Sequence, residues 1–127
     1  MSFENRTKSV NAVIRWAAIT GFAACVAAVS VLSLTPSEAL PAIEVWDKLQ
    51  HVLAYLILAV TGAVAFPGRR SLPWLAIGLP ILGCVLEAIQ AFIPGRDASV
   101  DDAIANAIGV GLGLVIARIA GSRYLFG

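Results

Sequence analysis

The sequence predicts an all-α membrane protein, a bundle of four transmembrane helices, and two observations carry that prediction. Of its 127 residues, 59% are hydrophobic and only 13% are charged, against roughly 45–50% and about 25% in soluble domains. The mean hydropathy is +0.86, and the apolar residues fall into four runs separated by proline or glycine breakers. A chain this short buries too little surface to hide that much apolar area from water. Lipid is the solvent it suits, and the length allows one domain, residues 1–127.

A spanning helix needs roughly 20 mostly apolar residues. The first run covers about 16–34 and stops at Thr35-Pro36; the second covers 46–66 and stops at Pro67-Gly68. The third, 72–93, stops at Pro94-Gly95, and the fourth, 100–120, is followed by Gly121. Breakers just beyond an apolar run are the usual ends of helices. Pro73 falls in the first turn of its span, where a missing N–H costs little, and membrane helices tolerate an interior proline such as Pro80. The first run, preceded by basic residues, exceeds the roughly 7–15 residues of a signal-peptide core, so a retained helix is expected.

Orientation follows from lysine and arginine. Arg6, Lys8, Arg15, Arg69, Arg70, Arg118 and Arg123 lie on one side, against Lys48 and Arg96 on the other. The positive-inside rule then places both termini in the cytoplasm (N-in/C-in). The net charge of +1 gives no reason to expect a nucleic-acid partner. Cys25 and Cys84 lack a second cysteine at metal-ligand spacing and read as small apolar packing residues.

Polar residues inside the spans are the informative ones. Asp47, His51 and Tyr55 are spaced i, i+4, i+8 and share a helix face beside Lys48. Glu87 and Gln90 share a face with Gly83, and Asp102, Asn106, Gly109 and Gly113 form one stripe in the fourth span. His51, Glu87 and Asn106 lie roughly 7–12 Å below the outer boundary at 1.5 Å per residue. An ionised side chain at mid-membrane costs about 2.5–3.5 kcal/mol, and such residues face the bundle interior, pairing or lining a wet cavity. Arg96 is expected to fold back toward Glu87 or Asp102. The first span, with few polar residues, is the one expected to contribute least.

The predicted ligand-binding site is therefore Asp47, Lys48, His51, Tyr55, Glu87, Gln90, Arg96, Asp102 and Asn106. If the protein is an enzyme, Glu87 or Asp102 is the candidate acid or base and His51 the proton shuttle. The sole histidine lacks metal-ligand spacing, so neither metal nor other cofactor is expected; a metal would use His51 with Glu87 and Asp102. Ala105, Gly109 and Gly113 make a small-residue ridge for close helix packing. No Ser-His-Asp order, phosphate loop or HExxH motif is present.

Asp47-Lys48-x-x-His51-x-x-x-Tyr55, Glu87-x-x-Gln90 and Arg96-x-x-Ser99-x-x-Asp102-x-x-x-Asn106-x-x-Gly109-x-x-x-Gly113 together resemble the VanZ-like family of bacterial membrane proteins. The resemblance covers roughly residues 47–116. It implies a small four-span protein of the bacterial cytoplasmic membrane, in a family named for a protein linked to teicoplanin resistance. That suggests binding of an envelope lipid, a lipid-linked intermediate or an amphiphilic glycopeptide. Alternatives are an intramembrane acid/base enzyme acting on such a lipid and a scaffold for another membrane protein. The bilayer is the expected partner, with a homodimer possible in principle.

Overall fold

The computed structural model describes residues 2–40 and 47–121. Four long helices account for most of them: α1 (Phe3–Leu34), α2 (Asp47–Ala65), α3 (Ser71–Gln90) and α4 (Val100–Gly121). One turn of 3-10 helix, Ser37–Ala39, follows α1. Each long helix is long and apolar enough to cross a membrane.

Two boundaries differ from the sequence expectation by more than one residue. α1 starts at Phe3 rather than near residue 16. Ser2 caps it by accepting from the Asn5 N–H (3.3 Å), and Lys8 pairs with Glu4 one turn below it (2.6 Å). A membrane-length window marks where a helix can enter lipid, whereas capping and side-chain pairing set where it begins. α3 ends at Gln90 rather than Ile93. Pro94 disfavours helical backbone at the residue before it, and the chain tightens into short turns, with Ile93 N–H donating to the Gln90 carbonyl at 3.0 Å. Trp46, the expected start of the second span, lies outside the described residues, as does Arg123.

The helices alternate in direction: contacts bring the C-terminal ends of α1 and α3 together, the first turns of α2 and α4 together, and the end of α3 to the residue before α4. α2 and α4 pack most closely. A Cβ on Gly109 would strike the Val52 carbonyl and stand 3.1 Å from the Leu56 nitrogen; one on Gly113 would lie 2.6 Å from the Leu56 carbonyl. Only glycine lets the two backbones approach this far. The core beside this seam contains Tyr55, Leu58, Ala59, Ala63, Leu75, Leu79, Val110 and Ala117. α1 lies against it through Phe22, Cys25, Val26 and Val29, with the Phe22 ring edge-on to Phe66 at 5.6 Å. The apolar surplus faces outward: Leu53, Ile57, Trp74, Ile77, Ile81, Ile104, Ile108 and Leu112 are all exposed. A surface so continuously apolar is a lipid-facing one.

Gly111, two residues from the seam glycine, has nothing within 4 Å of a built Cβ. Gly109→Ala is expected to lower stability in detergent by about 1–3 kcal/mol, the usual penalty of overpacking, while Gly111→Ala stays near neutral. Thermal or SDS-induced unfolding of the two variants measures the contrast, and equal losses would remove the seam from the account.

Candidate functional site

The polar residues of the spans gather at the end of the bundle where α1 and α3 finish and α2 and α4 begin. Asp102 stands in the first turn of α4 and is 5% exposed. One of its carboxylate oxygens, Oδ1, is ion-paired with Lys48 of α2. Lys48 also donates to Ser99 Oγ at 3.5 Å. The other oxygen, Oδ2, faces His51 Nε2 at 3.7 Å. One turn deeper, Asn106 is 2% exposed and its Oδ1 lies 2.9 Å from His51 Nδ1. A carboxamide oxygen only accepts, so Nδ1 carries the proton of that bond. Asp47, exposed at the head of α2, brings its Oδ2 to 3.9 Å from His51 Nε2.

Tyr55, 2% exposed, completes the α2 stripe one turn below His51. Its hydroxyl and the Asn106 amide both crowd the space above Gly83, where a Cβ would lie 3.2 and 2.9 Å from them. The missing side chain at Gly83 thus lets α3 close over the α2–α4 polar seam.

Glu87 is buried, and its Oε2 accepts the Ser99 backbone N–H at 3.1 Å. Ser99 in turn offers its carbonyl to the Asp102 and Ala103 N–H groups (3.1 and 3.3 Å). One residue therefore ties α3, the α3–α4 connection and the start of α4 together. Sequence reasoning passed over Ser99 as a site residue, although it stands three positions before Asp102, the spacing of a helix N-cap pattern.

Gln90 and Arg96 turn to α1. Gln90 Nε2 donates to the Ser33 carbonyl at 2.8 Å, and Arg96 reaches the Leu32 and Ser33 carbonyls from Nη2 at 2.6 and 3.2 Å. This corrects two expectations. Arg96 does not fold back onto Glu87 or Asp102, and the first helix contributes directly. The reason is that the last carbonyls of a helix have no partner within it, and a guanidinium is a forked donor suited to them. The stop at Thr35-Pro36 was the available signal, since it fixes which carbonyls are left over.

A cavity of about 350 Å³ opens between α1, α2 and α3 at this level. Val29, Leu32, Leu40 and Ala54 form an apolar wall; Asp47, Gln50, His51, Tyr55, Gln90 and Arg96 form a polar one. Gln50 and Leu40 were not anticipated, because neither belongs to a stripe of ionisable residues. Lys48, Glu87, Asp102 and Asn106 do not line the cavity; they lie behind it and hold its walls.

A family model for VanZ/LLP1 matches residues 3–121. The chain belongs to the VanZ/LLP1 family. The match takes in α1, beyond the motif-bearing segments of the other three helices, in keeping with the contacts α1 makes. No curated protein and no solved structure matches the chain. Four helices able to span a bilayer, together with this membership, make it a multi-pass membrane protein of VanZ type.

The Lys48–Asp102 pair is the joint most exposed to test. Asp102 keeps 7% side-chain exposure and Lys48 27%. Lys48→Met, which leaves the buried carboxylate without its cation, is expected to lower stability. Lys48→Met combined with Asp102→Leu should recover most of that loss in the same unfolding assay. A double variant as unstable as the single one would mean the pair does not hold α2 to α4.

Proposed function

We propose that this VanZ/LLP1 protein sits in the bacterial cytoplasmic membrane with both termini in the cytoplasm, and holds an anionic-headed amphiphile in its cavity. Envelope lipids, lipid-linked intermediates and amphiphilic glycopeptides share that chemistry. The observation that carries the reading is the two-sided lining of the cavity. Val29, Leu32 and Ala54 offer an acyl chain the surface it needs, and Gln90 and Arg96 offer donors to a head group, with Asp47 the one acid on the same lining. Its volume of about 350 Å³ falls at the lower end of the roughly 300–1,000 Å³ of small-molecule pockets, which suits a head group and first chain segment rather than a whole lipid. Arg96 keeps its positive charge while bonded to helix carbonyls, so it anchors α1 and attracts an anion together.

The reading is tested by extracting the protein purified in mild detergent and identifying co-purified amphiphiles by mass spectrometry. Ala54→Trp fills the cavity, whereas Leu53→Trp adds the same ring on the exposed, lipid-facing side. Ala54→Trp is expected to lower the retained amphiphile at least about tenfold, equivalent to about 1.4 kcal/mol, and Leu53→Trp to leave it unchanged. Equal retention in both variants removes the cavity from the proposal. Glycopeptide susceptibility of a host carrying the same variants then reports whether the retained molecule is the antibiotic or an envelope lipid.

A further inference from the structure

Asp47, His51 and Asp102 each present one ligand atom, and the three atoms lie within 4.8 Å of one another. We infer that they form a binding site for a divalent transition-metal cation of the zinc or manganese class. This inference stands whether or not the cavity takes an amphiphile.

The geometry argues for it in three steps. First, His51 Nδ1 is committed as donor to Asn106 Oδ1 at 2.9 Å, so the neutral ring points its Nε2 lone pair the other way. A histidine whose second nitrogen is held by a buried amide is the arrangement that orients metal-ligating imidazoles. Second, that lone pair faces two carboxylate oxygens, Asp102 Oδ2 at 3.7 Å and Asp47 Oδ2 at 3.9 Å. These separations are too long for hydrogen bonds. Each of these two separations fits a pair of ligands on one ion, since atoms about 2.1 Å from a metal stand up to about 4.2 Å apart; the full set spans up to 4.8 Å, and the exposed Asp47 side chain is the one with room to move inward. Third, Asp102 is 5% exposed, and its Oδ1 is turned to Lys48 while Oδ2 is left facing the histidine. Lys48 thus sets the carboxylate's direction. With one ammonium against two carboxylates, the cluster keeps a net negative charge that a divalent cation answers.

One imidazole and two carboxylates are a donor set for zinc or manganese. Asp47 and His51 also line the cavity, so a bound ion would have its open coordination positions toward that space. Glu87, the residue sequence reasoning grouped with His51, is engaged with the Ser99 N–H instead. Asp47 takes its place because it lies one helical turn before His51 on α2.

The test is metal binding to the full chain in detergent, stripped with chelator and titrated separately with zinc and with manganese. Calorimetry and elemental analysis after desalting give affinity and stoichiometry. One ion per chain is expected. Asp47→Asn changes an exposed side chain (66% exposed) and so leaves folding intact; it should weaken binding at least about tenfold. Asn106→Ala, which releases the imidazole, should weaken it about 10–100-fold, the usual effect of losing an outer-shell partner. A Cys25→Ser/Cys84→Ser variant should bind as the wild type does. Absence of stoichiometric binding of either ion overturns the proposal. So does binding unaffected by Asp47→Asn, or binding that disappears with the cysteines.

Discussion

The structure depends on one constraint, the need to neutralise a buried carboxylate. Asp102 sits at the head of a membrane-length helix with almost no exposure. In a medium of low dielectric a lone carboxylate there would be prohibitive. Lys48 is the answer, and reaching it fixes the register of α2 against α4. Once that register is set, His51 stands opposite Asn106, and Gly109 and Gly113 fall where the α2 backbone passes closest. The polar pair and the glycine seam are thus consequences of the same alignment, one at the end of the bundle and one along it.

A second demand comes from the helix ends. Water is scarce near the hydrocarbon, so the leftover carbonyls of α1 need donors from the protein. Thr35 Oγ1 donates to the Val31 carbonyl, Arg96 to that of Leu32, and Gln90 with Arg96 to that of Ser33. Serving those carbonyls draws the end of α3 and the α3–α4 connection onto α1. Gly95 takes a positive φ of 75° in that connection, and a Cβ there would sit 2.6 Å from Ser37 Oγ. The cavity is the space left between these anchored ends. Its polar wall includes groups already needed to hold the helices: Gln90 and Arg96 both line the cavity and serve the α1 carbonyls.

Much of this architecture was legible in the sequence. The breakers Thr35-Pro36, Pro67-Gly68 and Pro94-Gly95 mark the gaps between helices because proline and glycine act locally, whatever the tertiary context. The stripes Asp47-His51-Tyr55 and Asp102-Asn106-Gly109-Gly113 pointed to the faces that meet, since charges in lipid have few other places to go. Pairing across helices was less accessible. Periodicity tells which face Glu87 occupies, and Pro94-Gly95 puts Arg96 just beyond the helix, but neither shows that a backbone N–H at Ser99 or carbonyls at Leu32 and Ser33 supply their partners. Backbone groups carry no residue signature, so α1 looked idle. The length of α1 was hidden for a related reason: residues 3–17 are exposed and helical through capping and continuity rather than apolar burial.

The polar ends of the helices meet at one end of the bundle and open the cavity there; the proposed function puts that end at the outer face of the membrane. Labelling of single cysteines by a membrane-impermeant thiol reagent in intact cells tests it most directly. In a Cys25→Ser/Cys84→Ser background, Asp47→Cys marks the polar end and Arg69→Cys the opposite one. The account expects Asp47→Cys to be labelled in intact cells and Arg69→Cys only after the cells are opened. The reverse pattern would place the polar cluster on the cytoplasmic side and contradict it.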